Sequence, residues 1–240
     1  MERRVVKQIV RETLRELIDS EMLEEPYKLI ERIVEKQLEA FFKQENKKMY
    51  PVLQKMSNDP YIDIIYGRYR DDMRRFLKGD GSMAGTAINR IIGSTDLYDP
   101  VHRGESASVN FLTCHDGFTL YDLYSYNTKH NEKNGWNNTD GDNNGNSWNC
   151  GVEGETDDRR RMVKNAFATL LCSRGPAMFY GGDEFCNTQF GNNNAYCQDN
   201  IISWLDWTRL EKYREIHDFV RYMIGFRKRY AILRKKTKPV

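Results

Sequence analysis

Apolar residues in the first 59 positions recur every three or four residues, the spacing that predicts amphipathic helices. Two such stripes are separated by Glu24, Glu25 and Pro26, where acidic residues and an early proline are typical of a helix start. The sequence therefore predicts an amphipathic helical hairpin over residues 1–59. A hairpin of this size cannot bury both stripes against itself, so we expect it to pack on the rest of the chain or on a partner. The stripes consist of Val5, Val6, Ile9, Val10, Leu14, Leu17 and Ile18, and of Leu29, Ile30, Ile33, Val34, Leu38, Phe41 and Phe42.

Beyond about residue 60, short apolar runs alternate with helical patterns. Residues 108–114 and 177–180 are mostly apolar and predict two buried strands. Thr119 can cap a helix after the first strand, a second helix is predicted over about residues 157–173, and a last one from about residue 216. This order predicts a parallel α/β sheet or barrel, with functional groups just past the carboxyl ends of the strands.

The composition restricts the class of protein. The chain has 240 residues, 39% of them hydrophobic and 30% charged, which favours a globular protein over a disordered one. A formal net charge of +2 argues against nucleic-acid binding by the whole chain, and no apolar run approaches the ~18 residues of a membrane-spanning helix. Five cysteines without a Cys-x-x-Cys pair, and a start without a secretion signal, predict reduced thiols and a cytoplasmic location.

Two short motifs follow the predicted strands. His115 and Asp116 directly follow the first strand, where they would bind sugar hydroxyls or transfer protons; alternatively, Asp116 satisfies backbone N–H groups and His115 is buried. Asp183 and Glu184 follow the second strand. Because adjacent residues point in opposite directions, at least one of these two acids is expected to be structural.

A long polar loop spans residues 130–149, and loops of this length in a compact domain are usually functional or disordered. Asp140, Asp142 and Asn144 match the first half of a calcium-binding loop, but the twelfth position is Gly151 instead of Glu. The pattern therefore favours turn formation over metal binding, and we expect neither a metal nor a cofactor.

Longer motifs resemble isoamylase-type glycogen debranching enzymes of the α-amylase family. Residues 109–123 (VNFLTCHDGFTLYDL) resemble the seventh-strand segment of these enzymes. The resemblance covers about residues 66–230 and leaves residues 1–59 unmatched. Its other motifs are residues 67–76, 93–98, 125–131, 147–154, 182–185, 191–200 and 203–207.

The resemblance implies an eight-stranded β/α barrel that hydrolyses α-1,6 branch linkages in glycogen-like glucans with retention at the anomeric carbon. In this family a nucleophile and an acid/base carboxyl, roughly 5 Å apart, follow the fourth and fifth strands. Asp116 matches a third carboxylate, which stabilises the transition state by holding the hydroxyls of the distorted sugar, and His115 matches its neighbour on that sugar. The loop after the eighth strand would line or support the same subsite through Asn193, Asn194, Tyr196, Gln198 and Asp199.

The sequence departs from this family in one large respect, because the first five strands, with the nucleophile and the acid/base, have no counterpart in it. We therefore expect an α/β fold: a partial (β/α)8 barrel of the last strand–helix units over residues 60–240, preceded by the helical segment over residues 1–59. Three functions remain open. The chain is a debranching-enzyme fragment that is inactive alone, a subunit completed by a partner chain with the missing strands, or a non-catalytic glucan-binding module.

Overall fold

The computed structural model describes residues 67–98, 108–154 and 159–234, all within the unit Pro60–Lys236. The predicted helical hairpin over residues 1–59 lies outside the described residues. None of the described helices combines the length and the apolar character needed to cross a membrane. The α-helices are α1 (Arg68–Lys78), α2 (Ala84–Ile91), α3 (Leu120–Leu123), α4 (Arg160–Cys172), α5 (Thr208–Lys212) and α6 (Arg214–Arg229). Short 3-10 turns lie at Glu132–Asn134, Asp183–Phe185, Ala195–Cys197 and Ala231–Leu233.

Helices α3, α4 and α6 form where the sequence predicts them, whereas α1, α2 and α5 have no predicted counterpart. Thr119 caps α3 by accepting a hydrogen bond from the backbone N–H of Asp122 at 3.1 Å, although the helix is only four residues long. Helices α4 and α6 pack against each other and form the centre of the core. Their buried apolar side chains include Val163, Ala166, Phe167, Leu170 and Leu171 on α4, and Ile216, Phe219, Val220 and Met223 on α6.

The two predicted strands are reduced to one parallel β-bridge between Asn110 and Ala177. Its two hydrogen bonds run from the Asn110 N–H to the Pro176 carbonyl and from the Met178 N–H to the Asn110 carbonyl, both at 2.8 Å. The parallel direction is as predicted, but the prediction of full strands over 108–114 and 177–180 is wrong. Side chains of other segments bind the backbone groups that lie next to this bridge.

The side chain of Arg74 on α1 forms a hydrogen bond with a backbone carbonyl of the first bridged segment (residues 108–114). Its Nε donates to the Leu112 carbonyl at 2.8 Å. In the second bridged segment (residues 177–180), the Tyr180 N–H donates to the Asp183 carboxylate at 3.2 Å. Backbone groups that are bound to side chains are not available for a strand ladder, so the pairing ends after one bridge.

Two fully buried carboxylates connect the segments of the fold. Asp183 accepts from the Thr113 hydroxyl, and from the backbone N–H groups of Leu120 at 2.8 Å and Tyr180 at 3.2 Å. Asp122 accepts from the Thr188 hydroxyl and from the Gln189 N–H at 2.8 Å. The expectation that Asp183 or Glu184 is structural is therefore confirmed for Asp183.

Stability is expected to fall as the pH rises, because burial raises the pKa of Asp122 to about 6 and that of Asp183 to about 7. A carboxyl with a raised pKa in the folded state binds its proton more tightly there than in the unfolded chain. Its contribution is complete below the unfolded pKa of about 4 and is lost as the pH rises through the folded pKa. We expect the free energy of unfolding to decrease by several kcal/mol, up to about 6 kcal/mol, between pH 4 and pH 7, since a change of one pKa unit corresponds to about 1.4 kcal/mol.

Urea unfolding followed by circular dichroism at several pH values in this range measures the effect. The variant Asp122→Asn cannot titrate at this position and is expected to show a shallower dependence on pH than the unmodified protein. A free energy of unfolding that rises steadily from pH 4 to pH 7 would contradict the prediction.

Candidate functional site

His115 and Asp116 lie in the turn that follows the first bridged segment. Both side chains are 79% exposed, and His115 Nε2 lies 3.3 Å from Asp116 Oδ2. The alternative of a buried histidine is therefore wrong. Gly117, at a φ of 102°, completes the turn, and its N–H donates to the Asn193 carbonyl at 3.1 Å. The turn thus presents an imidazole and a carboxylate to solvent on a backbone that is held by the 191–200 loop.

Asp116 lines a cleft with a volume of about 150 Å³. This is smaller than the roughly 300–1,000 Å³ of typical small-molecule pockets, so the cleft itself holds one small group, and the rest of a longer ligand would lie outside it. The cleft brings together three of the predicted site residues, Asp116, Asn193 and Asn194, with groups from α1 and from the 130–149 loop. The lining residues outside the predicted set are Arg70, Arg74, Gly117, Phe118, Gly141, Asp142 and Gly145.

Asn193 and Asn194 bind other protein groups through their side-chain amides. Asn193 is 3% exposed; its Oδ1 accepts from Asn131 Nδ2 at 2.8 Å, and its Nδ2 donates to the Asp142 carbonyl at 2.7 Å. Asn194 Nδ2 donates to Asp140 Oδ2 at 2.9 Å. These two residues therefore line the cleft and also attach the 130–149 loop to the 191–200 loop.

The remaining predicted site residues are not among those that line this cleft. Tyr196 is 72% exposed. Gln198 Nε2 donates to the Lys133 carbonyl at 2.9 Å, and Asp199 Oδ1 accepts from the indole N–H of Trp204 at 3.0 Å. The structure therefore places Gln198 and Asp199 in contacts that stabilise the 191–200 loop and its surroundings.

The calcium-like motif forms turns, as the sequence favours. Asp140 Oδ2 accepts from Asn134 at 2.8 Å, and this hydrogen bond is the main cause of the lowered pKa of Asp140. Asp142 Oδ1 accepts from the Asn144 N–H at 2.8 Å, which closes a local turn. The Lys129 ammonium group donates to the Asp140 carbonyl at 2.5 Å, so a protein cation already contacts the oxygens of this loop.

Arg74 is one of the cleft residues that sequence reasoning missed. Its side chain is buried, and besides the Leu112 carbonyl it binds the Gly145 carbonyl through Nη1 at 2.8 Å. Nη2 is buried without a hydrogen-bond partner in the described part of the chain. Burial lowers the pKa of this guanidinium to about 10. Arg74 thus joins α1, the first bridged segment and the 130–149 loop beside the cleft, and only its place in the matched motif at residues 67–76 points to it in the sequence.

Comparison with known proteins identifies relatives of the carboxyl-terminal region, although no family model matches the sequence. The glycogen operon protein GlgX homologue of Mycobacterium tuberculosis (H37Rv) is 48% identical over 176 residues, which cover 71% of this chain and 24% of that protein. Chloroplastic isoamylase 3 of Oryza sativa (subsp. japonica) is 48% identical over 176 residues, covering 70% of this chain and 22% of that protein. The glycogen debranching enzyme of Erwinia tasmaniensis is 45% identical over 174 residues, which cover 70% of this chain and 26% of that protein.

Solved structures of pullulanases also resemble this chain. The type I pullulanase of Bacillus subtilis in complex with maltose superimposes with a TM-score of 0.53 at 25% identity, covering 73% of this chain and 22% of that one. The pullulanase of Bacillus acidopullulyticus superimposes with a TM-score of 0.52 at 25% identity, and the match covers 73% of this chain and 19% of that one. The chain spans about a quarter of the length of the curated relatives. Its matched carboxyl-terminal region belongs to the isoamylase-type glycogen debranching enzymes of the α-amylase family.

Proposed function

We propose that residues 60–240 form the carboxyl-terminal part of the (β/α)8 barrel of an α-1,6-glucan debranching hydrolase. In this proposal the chain binds a glycogen- or starch-like glucan through Asp116 and His115 and does not cleave it by itself. The observation that carries the proposal is the exposed Asp116 carboxylate, which lines a cleft with Asn193 and Asn194 in a region 48% identical to a glycogen operon protein.

The positions of Asp116 and His115 and the contacts of Asn193 and Asn194 support the roles proposed for them. The exposed carboxylate of Asp116 accepts hydrogen bonds from sugar hydroxyls, and these bonds to a charged acceptor strengthen as the sugar distorts toward the transition state. His115, 3.3 Å from that carboxylate, donates to the same sugar. Asn193 and Asn194 hold the loop that faces it, and Tyr196, Gln198 and Asp199 support the subsite from the same loop.

Cleavage with retention needs two carboxyl groups in addition to Asp116, a nucleophile and a proton donor. Asp142 is the other acid that lines the cleft, and its Oδ1 already accepts from the Asn144 N–H. On α1, Asp71 pairs with Arg70 at 2.7 Å and Asp72 with Arg90 at 3.0 Å. One further acid at the cleft cannot supply both missing groups. We therefore propose that the bond-breaking step needs residues outside those described here.

The purified chain is expected to release no linear glucan from glycogen above the level of an enzyme-free blank. It is expected to bind maltotriose, and Asp116→Ala should weaken that binding at least tenfold because a charged hydrogen-bond acceptor is lost. Reducing-end assays and isothermal titration calorimetry measure the two quantities. Asp218→Ala, on α6 and outside the cleft, is the matched control and should bind as the unmodified protein does. Release of linear chains that is abolished by Asp116→Ala would overturn the proposed inactivity.

A second candidate is a subunit of a split debranching enzyme, completed by a partner chain with the first five strands. Val109 and Met178, beside the two bridge residues, are 37% and 40% exposed, and such apolar side chains next to an unextended bridge would suit pairing with further strands. Native mass spectrometry of the chain mixed with a candidate partner tests this function. A one-to-one complex that hydrolyses glycogen would favour it over the isolated fragment.

A further inference from the structure

Three different metal-ligating side chains converge in the turn after the first bridged segment. The sulfur of Cys114, a ring nitrogen of His115 and a carboxylate oxygen of Asp116 all lie within 4.8 Å of one another. Across residues 67–98, 108–154 and 159–234, no other three side chains of Cys, His, Asp or Glu converge in this way. The turn therefore offers one sulfur, one nitrogen and one oxygen ligand to a single point.

These three groups are accessible. The side chains of His115 and Asp116 are 79% exposed, and Cys114 is partly exposed. The Cys114 sulfur makes a weak contact with the Asp116 carbonyl at 3.3 Å. An incoming cation would therefore displace water and one weak hydrogen bond, without opening the core.

We propose that Cys114, His115 and Asp116 form a zinc-binding site with water as the fourth ligand. Donor atoms around a tetrahedral zinc ion lie roughly 3.4–3.6 Å apart, given the usual zinc–sulfur, zinc–nitrogen and zinc–oxygen bond lengths. The 3.3 Å between His115 Nε2 and Asp116 Oδ2 already fits this spacing. The Cys114 sulfur lies within 4.8 Å of a ring nitrogen of His115 and a carboxylate oxygen of Asp116, so it has to move closer by at most about 1.4 Å to reach this spacing.

The combination of sulfur, nitrogen and oxygen ligands favours zinc over calcium and magnesium. Calcium and magnesium bind oxygen ligands, whereas zinc accepts mixed sulfur, nitrogen and oxygen sets. Coordination replaces the thiol S–H bond by a sulfur–zinc bond, and the thiol proton leaves to solvent. Each zinc ion bound at this site therefore displaces one thiol proton.

Zinc at this position occupies the carboxylate that the proposed function assigns to the sugar. Zinc and maltotriose should therefore compete, and this consequence alone rests on the proposed function. Binding of zinc in the absence of sugar does not depend on it.

The test titrates the metal-free chain with zinc alone, in competition with a chromophoric chelator. We expect one equivalent to bind, and Cys114→Ser and His115→Gln to weaken it at least tenfold each. Cys197→Ser is the matched control, since Cys197 is a second free cysteine that solvent can reach but lies outside the turn. It should change the affinity by less than twofold, as should His217→Gln. Thermal unfolding curves of each variant verify that it is folded.

Cobalt(II) gives a second readout, because a thiolate ligand produces a sulfur-to-metal charge-transfer band. The band should appear in the unmodified chain and in Cys197→Ser, and be absent in Cys114→Ser. Failure of the unmodified chain to bind one equivalent, or equal binding by Cys114→Ser, would overturn the proposal. Maltotriose binding measured without metal tests the proposed function separately, so the two failures are distinguishable.

Discussion

Replacement of Asp183 by alanine is expected to lower the free energy of unfolding by about 3–5 kcal/mol, a large part of the total for a domain of this size. The carboxylate is 1% exposed and accepts hydrogen bonds from Thr113, Leu120 and Tyr180. Alanine leaves these donors without acceptors and opens a cavity between the two bridged segments. Each buried donor left without a partner costs about 1–3 kcal/mol.

The adjacent carboxylate provides the control for this variant. Glu184 is half-buried, and its Oε2 accepts from the Gly182 N–H at 2.9 Å. Glu184→Ala therefore loses one hydrogen bond, and we expect a change of about 0.5–1.5 kcal/mol. Urea unfolding followed by far-ultraviolet circular dichroism compares the two. Equal costs for the two variants would show that Asp183 does not connect the segments as described.

Gly141→Ala is expected to destabilise the cleft by about 3 kcal/mol or more. A Cβ at this position would overlap Asn193 Oδ1 and lie 2.7 Å from Asn131 Nδ2, so it would separate the hydrogen-bonded pair that joins the two loops. The backbone φ of 74° adds strain for any residue with a Cβ. Overpacking of this kind typically costs about 1–3 kcal/mol beyond the backbone strain.

Gly151→Ala isolates the steric part of that effect. Gly151 also has a positive φ, 99°, but a Cβ there would meet no atom within 4 Å. The control variant should therefore cost only the backbone strain of about 1–2 kcal/mol. Thermal unfolding gives the stability of both variants, and maltotriose titration gives their binding. If both lose the same stability, the contact with Asn131 and Asn193 does not restrict this position.

Helices α4 and α6 could be predicted because their information is local, whereas α1, α2 and α5 were not predicted. The apolar periodicity of α4 and α6 repeats within one turn, and the Thr119 cap depends on a residue only three positions away. The strands could not be predicted to their full extent, because a strand requires partners that are distant in sequence. The Leu112 carbonyl binds Arg74, which lies 38 residues earlier in the chain, and no local sequence pattern predicts that contact.

Asp122 also combines a contact that the local sequence predicts with contacts that depend on distant segments. The sequence suggests a residue of the first helical turn, and its backbone N–H does bind Thr119. Its carboxylate, however, accepts from the Thr188 hydroxyl and the Gln189 N–H, 66 and 67 residues later. The buried role of this side chain depends on the position of the 186–191 segment, which only the folded chain determines.

The sequence by itself determined where helices α4 and α6 form, that the two bridged segments run parallel, and which motif carries His115 and Asp116. Only the tertiary structure decided which acids are available to a ligand. Asp116 is exposed beside a cleft, whereas Asp183, in a similar position after the second bridged segment, is buried among three donors. The physical reason is that exposure and hydrogen bonding depend on packing between segments far apart in the chain, while helix formation depends on neighbours within one turn.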